Sequence, residues 1–161
     1  MTTAHDPQLD LVLERVLDVR PELVWAAWTQ PEHLTKWFTP APWTTPEAEL
    51  DVRPGGKFHT VMCSPEGDRV DNTGCFLEVV EQRKLVWTSA LGPGYRPNHF
   101  DSPVGFPFTA EITIEPEGSG TRYVARVMHP TAAHAAQHDE MGFHDGWGAA
   151  LDQLVAYMSG R

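Results

Sequence analysis

Residues 130–158 read PTAAHAAQHDEMGFHDGWGAALDQLVAYM. Pro130-Thr131 has the form of a helix start with Thr131 as N-cap, and Ser159-Gly160 has the form of its end. One helix between those points would be about 40 Å long at 1.5 Å per residue, the longest element in the chain. At about 100° per residue, Phe143, Trp147, Ala150, Leu151, Leu154 and Met158 fall on one face, which is expected to pack on a sheet. Gly142, Gly146 and Gly148 interrupt the middle, and each costs about 1 kcal/mol relative to Ala. Glycines so placed mark a kink or a close approach of another backbone.

The sheet is written in the preceding segments. Leu9, Leu11, Leu13 and Leu17 share a side of a period-2 pattern, a first strand, with Arg15 at the same parity as a rim or ion-pair residue. Pro21-Glu22 opens a helix in which Val24, Ala27 and Trp28 share a face, and Pro31-Glu32 opens a second through Leu34, Trp37 and Phe38. Ala48, Leu50 and Val52 then alternate with acidic residues, and Pro54-Gly55-Gly56 turns the chain into a strand with Phe58, Thr60 and Met62 on one face. Further strands are read at Thr73 to Val80, Lys84 to Ala90, Phe108 to Glu115, and Thr121 to His129. The last has Tyr123, Ala125, Val127 and His129 on its uncharged face and Arg122 and Arg126 on the other. Hairpin signals between successive strands predict antiparallel pairing. The irregular stretch from Leu91 to Pro107, carrying Tyr95, Phe100 and Phe106, has the length of a binding loop or lid.

The chain has 161 residues, 22 acidic against 12 basic, and a formal charge of -10. That length fits a single domain, 1–161, able to bury one sizeable core. No run of Lys or Arg matches consecutive phosphates, so neither nucleic acid nor an anionic membrane surface is an expected partner. No signal-like N-terminus and no run of eighteen apolar residues occurs, so a cytoplasmic location is expected. Cys63 and Cys75 form no Cys-x-x-Cys pair and are read as free thiols.

Six segments in order resemble one protein family: Arg15-Val16-Leu17-Asp18, Glu22 to Thr29, Pro31-Glu32-His33-Leu34 with Trp37, Arg53-Pro54-Gly55-Gly56, Leu85-Val86-Trp87-Thr88, and Gly146-Trp147 with Leu151-Asp152-Gln153-Leu154. They resemble the branch of the SRPBCC (START-like, helix-grip) superfamily named for the C-terminal domain of the activator of heat-shock protein 90 ATPase. The chain departs from the usual pattern at Val19-Arg20-Pro21 and at Phe38-Thr39-Pro40. The resemblance implies an α+β helix-grip fold, a seven-stranded antiparallel sheet wrapped around a long C-terminal helix, with two short helices after strand one. It also implies an elongated cavity between sheet and helix. Relatives include ligand binders, transporters, polyketide cyclases and co-chaperone domains, so fold alone does not settle function.

Residues expected to line that cavity are Trp28, Phe58, Trp87, Phe108, Tyr123, His129, Phe143 and Trp147, all on faces read as inward; the alternative for each aromatic is a packed core. Glu140 and His144, four apart on a continuous helix and near its apolar face, are the candidate acid-base pair, with a polar helix cap as the alternative. On the same wheel His134 and His138 project to solvent, so no set of three convergent metal ligands forms and no metal is expected. No phosphate loop or nucleophile elbow is present, and no cofactor is expected.

The leading expectation is a small apolar-molecule binding domain, with enzyme activity left open. The alternative is a cyclase, dehydratase or hydrolase using Glu140 and His144 on an apolar or polyketide-like substrate. A third reading, a co-chaperone-like interaction module, needs an exposed apolar patch and, as in the eukaryotic activator, a second domain for which 161 residues leave no room. Oligomeric state, a homodimer included, is left open.

Overall fold

The computed structural model describes residues 6–99, 106–159 and 161; Phe100 and Gly160, named above, lie outside them. The order of elements is β1 (Asp10–Leu17), α1 (Pro21–Thr29), α2 (Pro31–Leu34), β2 (Thr44–Leu50), β3 (Lys57–Cys63), β4 (Arg69–Val80), β5 (Lys84–Thr88), β6 (Leu91–Gly92), β7 (Arg96–Pro97), β8 (Thr109–Glu117), β9 (Gly120–Met128), α3 (Ala132–Glu140) and α4 (Phe143–Met158). Seven strands form one antiparallel sheet in the order β1-β9-β8-β5-β4-β3-β2, and β6 and β7 form a separate two-stranded ladder.

Local chemistry accounts for the elements. Pro21 and Pro31 each stand at a first helical position, where a missing N–H costs nothing, and Glu22 and Glu32 follow in the positive first turn. Helix α1 buries Val24, Ala27 and Trp28, the face expected from their spacing. In the turn Pro54-Gly55-Gly56, a Cβ on Gly56 would lie 1.9 Å from the Asp51 carbonyl, so no larger residue fits. The β9 face carrying Tyr123, Ala125 and Val127 is buried, and so, on the opposite face, is Arg126, ion-paired to Asp10 of β1 at 3.1 Å. Cys63 and Cys75 are free, Cys75 standing opposite Lys57 and Cys63 opposite Arg69 in the β3–β4 register.

The single long helix is corrected to two. Thr131 does cap a helix, its hydroxyl accepting from the His134 N–H, but α3 ends at Glu140 and α4 begins at Phe143. Gly142 between them has φ 91°, a left-handed conformation open to glycine at little cost. The buried residues of α4 include Phe143, Ala150, Leu151, Leu154 and Met158, which join the core with the inner face of the sheet.

Candidate functional site

A cavity of about 660 Å³ lies between the inner face of the sheet and helices α1, α3 and α4. Strand β3 contributes Phe58, Thr60 and Met62, β5 contributes Trp87, and β9 contributes Tyr123; Phe108 enters just before β8. Helix α1 adds Trp28, the turn after α2 adds Trp37 and Phe38, and α4 adds Phe143, Gly146, Trp147, Ala150 and Leu151. Polar groups collect on one side, among them Asn72, Thr73, Ser89, Asn98 and His99. The aromatic wall is internally packed. Phe58 stacks on Trp87 at 4.6 Å, Trp87 meets Phe108 edge-on at 5.5 Å, and Phe143 lies 5.1 Å from Trp147.

Of the residues named from the sequence, all the expected lining residues but His129 border this space. Thr60 and Met62 were legible from the same alternation that selected Phe58. The segment 37–40 was not named as lining, although its Trp and Phe follow the second proline-started helix. Its position has a clear cause: Gln153 of α4 donates to the carbonyls of Trp37 and Thr39 at 3.0 and 2.8 Å and accepts from the Ala41 N–H at 2.8 Å. One amide thereby holds the Phe38-Thr39-Pro40 wall against α4.

The candidate acid-base pair is not assembled. Glu140 and His144 are both exposed, and the break at Met141-Gly142 separates the helices that carry them. His144 instead approaches Asp139 at 3.5 Å and the Val12 carbonyl at 3.2 Å. Arg15 is exposed, with its guanidinium near Gly148. The helical-wheel reading of His138 is overturned for the same reason: a two-residue break rephases α3 against α4, and His138 turns into the cavity.

His138 sits in a set of rings. Nδ1 of His138 is 2.9 Å from Nε2 of His129, and Nδ1 of His129 is 2.8 Å from the Leu9 carbonyl. Phe106, Phe108 and Phe143 lie 5.1 to 5.3 Å from the His138 ring, and Phe106 also stacks on His134. Desolvation lowers the His138 pKa to about 4, the neighbouring His129 adds to the fall, and Asp139 opposes it in part. Deeper in, burial pushes the Tyr123 phenol well above its ordinary value; the Trp28 indole lies near enough to offset this slightly without forming a hydrogen bond of good geometry. The indole N–H groups of Trp28 and Trp87 are buried without a hydrogen-bond partner among the described residues. No group of three or more His, Cys, Asp or Glu among the described residues is placed to hold a metal ion.

Residues 18–159 match the sequence model of the family described as Activator of Hsp90 ATPase homolog 1-like protein. The chain belongs to that family. A solved Activator of Hsp90 ATPase homolog 1-like neighbour, from Silicibacter pomeroyi, is 25% identical, with 91% of this chain and 95% of that one covered and a TM-score of 0.67. A protein of known structure from Nitrosomonas europaea is 48% identical over 95% of this chain and 96% of its own, with a TM-score of 0.89. One from Mycobacterium smegmatis, 22% identical over 100% of this chain and 98% of its own, shares the fold at a TM-score of 0.78. No curated protein matches the chain. Within this Activator of Hsp90 ATPase homolog 1-like chain, no described helix is long and apolar enough to cross a membrane.

Proposed function

We propose that this protein binds a small apolar molecule in the cavity between sheet and α4. The observation that carries the reading is the volume of about 660 Å³ walled by Trp28, Phe58, Trp87, Phe108, Phe143 and Trp147. Ligand sites commonly have volumes of roughly 300–1,000 Å³ and combine apolar walls with a few placed polar groups. Here the polar groups are His138 and the cluster around Asn98, whose amide donates to the Thr73 and Ser89 carbonyls at 2.9 Å each. The enzyme reading rested on Glu140 and His144, which stand on the exposed side, and no other observation favours it over binding.

Titration of apolar probes of several shapes, read by tryptophan emission, tests the proposal, since four of the lining residues are Trp28, Trp37, Trp87 and Trp147. A saturable response is expected. Gly146 offers a matched control: a Cβ built there meets no atom within 4 Å, and the residue borders the cavity. Gly146→Phe is therefore expected to fill the space and abolish binding while the melting temperature is kept. Absence of saturation across the panel in the wild-type protein, or undiminished binding in folded Gly146→Phe, would overturn the reading.

A further inference from the structure

We infer that the molecule bound in this cavity carries an uncharged hydroxyl on an apolar, ring-bearing body, and that this hydroxyl donates to Nε2 of His138. The inference rests on the binding reading above and adds the chemical class of the ligand. It follows from the direction of one chain of hydrogen bonds. The Leu9 carbonyl can only accept, so Nδ1 of His129, 2.8 Å away, carries a proton. A neutral His129 then has its lone pair on Nε2, which faces Nδ1 of His138 at 2.9 Å. Two lone pairs would repel at that distance, so the proton between the rings belongs to Nδ1 of His138. The second nitrogen of His138, Nε2, is left as an acceptor.

Position gives that lone pair a use. His138 lines the cavity, and its Nε2 makes no hydrogen bond among the described residues. Phe106, Phe108 and Phe143 pack on the ring and hold its plane, so the acceptor is presented in a fixed direction from an apolar wall. The ring is neutral at pH 7, in keeping with its lowered pKa. A ligand carboxylate would place negative charge against a lone pair and is disfavoured; an ether, ketone or hydrocarbon leaves the acceptor unpaired. A phenol- or enol-type hydroxyl satisfies it, and the flanking rings favour a flat apolar body beside that hydroxyl.

Calorimetric titration with 2-naphthol, 2-methoxynaphthalene and 2-naphthoate separates these cases. Wild-type protein is expected to bind 2-naphthol about five-fold more tightly than its methyl ether, the effect of one net hydrogen bond, and 2-naphthoate more weakly than either. His138→Phe is expected to bring the ratio near one. A ratio near one in the wild-type protein, a ratio unchanged in His138→Phe, or preference for the carboxylate overturns the inference while leaving cavity binding in place. Failure of all three probes to bind, with other apolar probes failing too, overturns the binding reading itself. Ring-nitrogen chemical shifts of His138 in isotope-labelled wild-type protein need no substitution: Nδ1 should be the protonated nitrogen and Nε2 the bare one, and the reverse pattern sinks the proposal.

Discussion

An imidazole that folds into an apolar wall must shed its proton there, and His138 does so: its pKa falls from 6.5 to about 4. Because the unfolded chain then holds the proton more tightly than the folded one, His138 contributes its full stability above pH 6.5. That contribution drains away as pH drops from there to about 4, and levels off below. The groups facing the ring are His129 just after β9, Asp139 beside it on α3, and the uncharged rings of Phe106, Phe108 and Phe143. The expected loss is about 1–2 kcal/mol, reduced from full linkage because the ring is partly open to the cavity. Urea unfolding at pH 7 and pH 4.5 measures it; subtracting the same difference for His138→Phe isolates this residue from the other titrating groups. Equal pH dependence in both proteins would show that His138 is not the group responsible. Whichever imidazole of the pair takes the added proton, Nε2 of His138 ends as a donor, so acid should also erase discrimination between hydroxyl and ether ligands.

Helices α3 and α4 set glycines of opposite kind a few residues apart. Gly142 has φ 91° and joins the two helices, whereas Gly146 lies within α4 with open space at its Cβ. Gly142→Ala is expected to lose about 1–2 kcal/mol, the cost of a left-handed non-glycine residue, and Gly146→Ala to gain up to about 1 kcal/mol from helix propensity. Denaturant midpoints of the two variants should therefore move in opposite directions; a shift the same way in both would mean the break is not where it is described. That break also limits what could be read from the chain. Period-2 alternation in β3 and β9, and Pro21 and Pro31 at helix starts, are local signals that survive any tertiary arrangement, and the elements they predict are present. A helical wheel is different: its phase carries through only while every residue keeps 3.6 per turn. Met141 and Gly142 break that count, so Phe143 through Met158 were placed correctly relative to one another while Glu140 and His138 were placed on the wrong sides. The β6–β7 ladder was missed because two-residue strands leave no periodicity to find. Gln153 is polar on a helix with a strong apolar face, yet which backbone carbonyls its amide would meet depends on a segment more than a hundred residues away.

For the molecule as a whole, a cavity in the core is missing packing, and a ligand that fills it should stabilise the fold by mass action. At one hundred times its dissociation constant a ligand adds about 2.7 kcal/mol, which for a domain of this size corresponds to a rise of roughly 5–10 °C in melting temperature. Thermal scans with and without 2-methoxynaphthalene should show that rise in the wild-type protein and not in Gly146→Phe; equal shifts in both would place the ligand elsewhere. The sheet order has a consequence of another kind. Strand β1 pairs with β9, Leu17 opposite Thr121 and Asp10 opposite Met128, although β1 is followed in the chain by α1. On the ribosome, β1 is made before the other strands of the sheet but must wait for residues 120–128 before its partner exists. Helix α4, which closes one wall of the cavity, is made later still. Such distant pairings slow folding, because loop-closure entropy is lost before the contacts form. During synthesis the apolar inner faces of β3 and β5 would stay uncovered by α4 until residues 143–158 emerge, an interval in which chaperones could engage them.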